Sequence, residues 1–592
     1  MRRHSRNSFL TFAKKSQNLT ENAAGVLPRP LRTSRQMKII DNSILDSGYD
    51  KFNSLEILNR NLAEASVESL AKDTYKEHVF DFSLGRRMDR GTFLAASLAI
   101  RDVVAKIPED RIGIALPAGI PGFLVNLAVQ MAGKVSVNLN FTMGSDAARA
   151  CLRRAKIKTI IGSDKIRQRV NSHFPDYPWS DNFIDVGGLL KSLGKAKIAR
   201  NLLLVRALPG RVLCRIFGIP SEGGNREASI IFTSGSEGEP KAAVLTHRNL
   251  MANSFQMSQL GIITSDTVIH ANLPLFHSFG QTIQLWLATI FGVRSVAVQS
   301  PLEIQANIEA ARAGGSTLMI STPTFLRSYY KKAKSSDFPK MRLVIGGAEK
   351  TPDGFIDQWE GKFKHIRYFE GYGLTEASPV VGVNLFENMP RPPRGDFCPQ
   401  PSGCKHGSIG EMFCGMQAKV VDPDTGETLK IGERGILCLR SATVFGGYLD
   451  MPEANRERVS PDGWLNTGDI AVLDSQGYIF IKGRLSRFSK IGGEMVPHMG
   501  VEEAVVQAMG LQESEQPLVA VGSRIDGAKG EALVLLSTID IDMPQLRRLL
   551  TEAGLPNLWI PKHVLRVESI PILGSGKLDL GKIRKLCADF SE

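Results

Sequence analysis

The stretch 233–247 reads TSGSEGEPKAAVLTH and gathers the residue types that hold phosphate. Gly235 and Gly238 permit backbone turns that aim N–H groups inward. Thr233, Ser234 and Ser236 supply hydroxyl donors, and Lys241 adds a positive charge. Two carboxylates, Glu237 and Glu239, stand among them, where a phosphate would repel them. The order GxxxxGK[ST] is absent, so this is no Walker loop, and taken alone it would serve equally well as a flexible Ser/Gly turn.

The elements that must position this loop are legible on either side. SIIFTS (229–234) reads as a strand running into it, and THRNLMANSFQM (246–257) as a helix after it. Similar short β-type runs occur at RIGIALP (111–117), VSVNLN (135–140), KTIIGS (158–163), TLMIS (317–321), RLVIGG (342–347) and IRYFEGYG (366–373). LAASLAIRDVVAKI (94–107) has helical apolar spacing. This alternation predicts an α/β fold whose large N-terminal domain (76–483) is built of stacked, mostly parallel sheets. Between about 405 and 483 the pattern turns β-rich, with DPDTGE and DSQG turns, which predicts a barrel-like or meander subdomain. Helix and strand alternate again beyond 498, which predicts a small α+β C-terminal domain over 484–592.

Composition sets further bounds. A chain of 592 residues exceeds one hydrophobic core. Seven cysteines without regular spacing argue for a reducing, cytoplasmic setting, and the loose cluster Cys398, Cys404 and Cys414 lacks the CxxC pairs of a zinc site. The net charge is +13, and residues 1–40 carry nine Lys/Arg against one acid, Glu21. Residues 1–75 read as a basic polar extension: a disordered tail, an Arg/Ser-rich transit peptide, or the result of a start placed upstream of Met37. The basic tail comes with no aromatic or groove motif, so nucleic acid is not an expected partner. The uncharged runs 112–133 and 268–293 contain prolines, glycines and polar residues and read as core elements, not membrane spans. Residues 187–218 hold seven Lys/Arg and no acid among Leu, Val, Ile and Phe; they suit an anionic membrane surface or a basic helix packed on the protein's own body.

TSGSEGEPKAAVLTH does not stand alone. LPLFHSFG (273–280), VIGGAEK (344–350), GYGLTEAS (371–378), GWLNTGD (463–469), GRLSRFSKIGGEMV (483–496) and GSGKLDL (574–580) follow it in order. Together the seven motifs resemble those of the adenylate-forming (ANL) superfamily of AMP-binding enzymes, which includes acyl-CoA synthetases, luciferase-like enzymes and peptide-synthetase adenylation domains. The resemblance implies that ATP and Mg²⁺ activate a carboxylic acid as acyl-AMP, which then passes to a phosphopantetheine thiol. It implies roles for particular residues. Thr233, Ser234, Gly235, Ser236, Glu237, Gly238 and Lys241 would hold the departing phosphates, with Glu239 facing water. Gly347, Ala348, Gly371, Tyr372, Gly373 and Thr375 would line adenine and the α-phosphate. Glu376 would hold the metal, and Asp469 and Arg484 the ribose. Lys577 would bridge the carboxylate and α-phosphate, so Lys577, Glu376, Thr233 and Lys241 form the expected catalytic set. His277 and Phe279 would face the acyl group, His277 as a gate or as a packed core histidine.

The resemblance also implies a mobile C-terminal domain that turns about the hinge and brings Lys490, Gly492 and Gly493 to the site for thioester formation. At the hinge Arg487 stands where the superfamily usually has Asp, and Ser489 where it usually has an apolar residue. That string is most similar to the acyl–acyl carrier protein synthetase domain of bacterial Aas-type proteins, which re-acylate lysophospholipid. No histidine is followed by Asp five positions on, so the HxxxxD acyltransferase of such proteins is not in this chain. The expectation is a long-chain fatty acid ligase for phospholipid re-acylation, serving an acidic acyl carrier protein, or CoA, and a separate acyltransferase. A non-catalytic, membrane-associated nucleotide-binding protein is the alternative of another class.

Overall fold

Valine and isoleucine runs buried on both faces dictate where the sheets lie. The computed structural model describes residues 37–233, 239–385, 404–492, 494–511, 517–526, 530–572 and 578–590. One six-stranded sheet runs in the order Lys241–Thr246, Glu227–Thr233, Val135–Asn138, Arg111–Ala115, Thr159–Gly162, Asn182–Asp185. All its pairings are parallel except the first, an antiparallel hairpin of Glu227–Thr233 with Lys241–Thr246. A second sheet of eight strands has a parallel centre, with antiparallel partners at its two edges. Ile112, Ile114, Val137, Ile160 and Ile230 are buried, as parallel strands covered on both faces require.

The hairpin adds a strand between the loop and the helix expected after it. The strand Lys241–Thr246 returns beside Glu227–Thr233 before the helix His247–Ser258 begins. The strand Lys241–Thr246 thus stands between the phosphate-type loop and the helix. Thr246 caps the helix by accepting from Asn249 N–H at 3.2 Å, and Asn249 Oδ1 accepts from Thr246 N–H at 2.9 Å.

The β-rich subdomain is a six-stranded antiparallel sheet, and two of its strands come from the N-terminal region. Lys38–Ile40 pairs with Ile44–Asp46, which pairs with Met416–Val421; Arg434–Ser441, Leu465–Leu473 and Ile479–Arg484 complete the order. Residues 37–75 are thus not part of an extension, which corrects the boundary at 75. Their polarity conceals a few anchors, Leu45, Phe52, Leu58 and Leu62, all fully buried. The C-terminal part has five strands and its own core of Val501, Val505, Leu533, Leu535, Leu546 and Leu550.

Residues 187–218 form the helices Val186–Ser192, Lys195–Ala207 and Gly210–Ile216. Their inner side is fixed to the body. Val205 and Leu213 are buried, Asn201 Nδ2 donates to Ala95 O at 3.3 Å, and Lys197 pairs with Asp102 at 2.8 Å. A Cβ on Gly210 would lie 2.6 Å from Glu68 Cα, so only glycine admits this close helix approach. Their outer side leaves Leu203 72% and Ile216 55% exposed. No helix among the described residues is long and apolar enough to cross a membrane.

Candidate active site

Three sheets bring the motifs to one place. Thr233 and Lys241 face each other at the base of the hairpin, with Thr233 Oγ1 3.5 Å from Lys241 O. Lys241 Nζ sits 5.3 Å from the centre of the Tyr448 ring. Ser234, Gly235, Ser236, Glu237 and Gly238 lie outside the described residues, as do Gly493 and Lys577. Glu239 does not simply face water. It is half-exposed and takes Arg153 at 2.7 Å and Arg154 at 3.1 Å, so two guanidinium groups hold this carboxylate at the loop margin.

The second sheet supplies the next residues. Gly347 follows the strand Leu343–Gly346 and donates its N–H to Ser321 O at 3.1 Å. A Cβ there would stand 3.1 Å from Gly371 O and 3.4 Å from the Phe279 ring, so Gly347, Gly371 and Phe279 meet. Ala348 takes a positive φ of 72°, a cost for a residue with a Cβ. Strand Arg367–Gly373 carries Gly371, Tyr372 and Gly373, and the short turn Thr375–Ala377 follows. Ser278 Oγ and Thr375 Oγ1 are 3.1 Å apart, which ties the acyl-type motif to this turn. His277 is half-buried and its Nδ1 accepts from Phe279 N–H at 3.4 Å.

Glu376, on that turn, is 7% exposed. Its Oε1 accepts from the Tyr448 hydroxyl and meets Arg458 Nη2 at 3.3 Å. Burial pushes this carboxyl up, but the Arg458 guanidinium and the Tyr448 hydroxyl outweigh it and leave Glu376 below the usual carboxylate range. It is therefore an anion at neutral pH. Among the described residues no group of three His, Cys, Asp or Glu gathers that could hold a metal ion by itself. One buried carboxylate fits a magnesium ion that takes its other ligands from phosphates and water, the usual manner of that ion in nucleotide sites.

The antiparallel sheet supplies Asp469 and Arg484, which are register partners on neighbouring strands. Asp469 is buried; its Oδ1 takes Arg484 Nε at 3.0 Å and its Oδ2 takes the Tyr372 hydroxyl. Burial, and then the Asp469 carboxylate, hold the Tyr372 hydroxyl well above the usual phenol range, so it remains a donor. An ionised carboxylate offers about four acceptor sites. Two are taken here, leaving two for a diol.

The hinge residues are elsewhere in this arrangement. Arg487 is buried against Glu502, and Ser489 Oγ lies 2.7 Å from His498 Nε2, both inside the C-terminal part. Lys490 pairs with Asp424 at 3.1 Å on the surface, and the exposed Gly492 has φ 59° in the turn between two strands. They do not join Glu376 and Asp469. Tyr448 and Arg458 escaped the sequence reading. Tyr448 sits in an unremarked FGGYLD, and Arg458 in PEANRER, which reads as a solvated helix face.

The model of the AMP-binding enzyme family matches residues 88–449. The chain belongs to the AMP-binding enzymes. It is 31% identical over 367 residues to the long-chain-fatty-acid–CoA ligase of Salmonella typhimurium, covering 59% of this chain and 60% of that one. It is 29% identical over 357 residues to 4-coumarate–CoA ligase 3 of Oryza sativa subsp. japonica, covering 59% and 61%. The chain thus spans about 60% of the length of these curated relatives. Its fold is that of ATP-bound MatB from Rhodopseudomonas palustris, with a TM-score of 0.69 and 22% identity over 88% of this chain and 99% of that one. The α/β architecture of stacked sheets is shared with this ATP-bound protein.

Proposed function

We propose that this AMP-binding enzyme activates a long-chain fatty acid with ATP and passes the acyl group to a phosphopantetheine thiol. The observation that carries the reading is the convergence of Glu376, Asp469 and Arg484 with the Thr233–Lys241 hairpin. In the reaction a carboxylate oxygen attacks the α-phosphorus, the bond to the bridging oxygen breaks, and pyrophosphate leaves with the electron pair. The step brings anions together, so fixed cations must face them. Lys241 stands at the base of the loop for the departing phosphates. Asp469 accepts the ribose hydroxyls while Tyr372 and Arg484 hold it in place. Glu376 would be the protein ligand of magnesium, which when bound neutralises phosphate charge. Lys577, by resemblance, joins the carboxylate to the α-phosphate.

On the similarity of the hinge string the acceptor is an acidic acyl carrier protein, which the excess of basic residues suits. CoA is the second reading, favoured by the name of the Salmonella relative. Purified protein with ATP, Mg²⁺, palmitate and either holo-carrier protein or CoA tests both. Thioester on CoA alone removes the carrier assignment. Absence of fatty-acid-dependent ATP–pyrophosphate exchange removes the enzymatic reading altogether and leaves a nucleotide-binding protein.

The outer face of 195–216 suits the cytoplasmic surface of an anionic membrane, where the fatty acid resides. Leu203, Val212 and Ile216 are exposed there among Lys195, Arg200 and Arg215. Vesicles containing phosphatidylglycerol should sediment the protein in low salt, and Leu203→Glu with Ile216→Glu should abolish this. Equal recovery with neutral phosphatidylcholine vesicles, or none with either, refutes it.

A further inference from the structure

Arg458 is a cation that the reaction as described does not use. It sits on the short helix Pro452–Arg458, and its guanidinium lies between Glu376 and the strand Leu465–Leu473 that carries Asp469: Nη2 is 3.3 Å from Glu376 Oε1, and Nη1 would be 3.3 Å from a Cβ on Gly468. The contact with Glu376 is a single one, and the buried Arg458 Nε has no partner. Arg111 and Glu227, by contrast, form a two-pronged pair at 3.0 and 3.2 Å. A guanidinium kept for architecture alone would gain from that geometry and from a partner for each N–H. The single 3.3 Å contact to one carboxylate oxygen is the looser of these two geometries and the easier to exchange.

We propose that Arg458 is an exchangeable counter-ion of Glu376: it occupies the carboxylate until the metal–nucleotide arrives, then turns its guanidinium to the incoming phosphates. Glu376 alone, buried, would be an unpaired anion in the empty site. Arg458 removes that cost and competes with bare divalent cations for Glu376, so the site takes metal with nucleotide and not before it. Tyr448 stays on Glu376 throughout and fixes the carboxylate's orientation. The proposal rests on the reading of Glu376 as the metal ligand.

Mn²⁺ serves as the probe, its free concentration read by electron paramagnetic resonance, with the full-length protein and no fatty acid. Arg458→Gln should bind Mn²⁺ about tenfold more tightly without nucleotide, a factor equal to about 1.4 kcal/mol. The same variant should bind Mn²⁺–ATP more weakly than the wild type, because its phosphate contact is gone. Arg458→Lys, which keeps the charge, should restore the wild-type order. Unchanged or weaker Mn²⁺ binding in Arg458→Gln without nucleotide overturns the proposal, provided that a thermal melt shows the variant folded. If it does not fold, Arg458→Lys decides: Mn²⁺ binding without nucleotide that matches the wild type supports the exchange, and binding about tenfold tighter in this charge-retaining variant overturns it. Glu376→Gln separates the two readings. If it weakens Mn²⁺–ATP binding while Arg458→Gln changes nothing, the exchange fails and Glu376 stands as the ligand. If it binds Mn²⁺–ATP as the wild type does, the metal assignment itself falls.

Discussion

Asp469→Asn should erase the enzyme's preference for a ribose over a deoxyribose. The carboxylate is 3% exposed and already accepts from Arg484 Nε and the Tyr372 hydroxyl, so two acceptor sites remain for the two ribose hydroxyls. A hydrogen bond to a buried charge is worth about 1.5–3 kcal/mol, which corresponds to about 10- to 150-fold in kcat/KM for each hydroxyl. Removing a hydroxyl from the substrate leaves the carboxylate short of a partner, so discrimination against the deoxy analogue is of that order. The assay is ATP–pyrophosphate exchange with palmitate, comparing ATP with 2′-deoxyATP and 3′-deoxyATP. The wild type should lose about 10- to 150-fold for one or both analogues. The amide introduced by Asp469→Asn keeps one oxygen but no charge, so the variant should lose less than about tenfold, the range of a neutral hydrogen bond. The isosteric change keeps the packing, so the reading is a ratio within each protein and not its absolute activity. The same discrimination in wild type and variant would refute the assignment of Asp469 to the ribose.

Three buried or paired groups elsewhere in the fold give outcomes of their own. Burial holds His78 at about 3 and His247 and His270 at about 4, so all three are neutral in the fold and take up protons on unfolding. Their folded values lie below the unfolded one, so their contribution is present above about pH 6.5 and lost as pH falls: about 1.3 kcal/mol each between pH 7 and 5.5. Urea unfolding followed by tryptophan fluorescence should show this loss, and His270→Asn should reduce the slope by one proton. Arg487→Ala leaves Glu502 buried without its cation and should destabilise the C-terminal part by about 3–5 kcal/mol, read as faster hydrogen exchange in the strands Val519–Asp526 and Gly530–Ser537. Lys350 on the adenine-type loop pairs with Glu503 of the helix His498–Ala508 at 2.7 Å, but both side chains are about half exposed. Such a pair is worth at most about 1 kcal/mol, so Glu503→Gln should change adenylation less than about fivefold and only at low salt.

The sequence announced the sheets well because parallel strands buried on both faces must be nearly continuous apolar runs, as at 112–115 and 343–345. It hid Lys38–Ile40 and Ile44–Asp46 because the three-residue edge strand of an antiparallel sheet and its equally short neighbour need few apolar residues, and those two sit in a polar region. It hid the strand Lys241–Thr246 because the run KAAVLT is short and follows directly on the Gly- and Pro-containing loop. The motif residues Glu376, Asp469, Arg484, Tyr372 and Thr375 could be named from their strings. Tyr448 and Arg458 could not, because each acts across a distance of 72 or 82 residues from Glu376 and neither lies in a motif.

These two hidden residues change how the site's charge is understood. Glu376 and Asp469 are buried carboxylates, and each already has a guanidinium: Arg458 for one and Arg484 for the other. The cluster is thus neutral by itself, which a site of low polarity requires when no ligand is bound. A metal–nucleotide brings both signs of charge. Its cation can take the place of Arg458 on Glu376, and its phosphates can take the guanidinium so released. The diol needs no exchange at all, since Asp469 has acceptor sites to spare. Binding is then a re-pairing at two carboxylates that are already buried, with little new desolvation of either. Glu376 stands on the turn that follows one sheet and Asp469 on a strand of another, so the proposed re-pairing takes place where these two sheets meet.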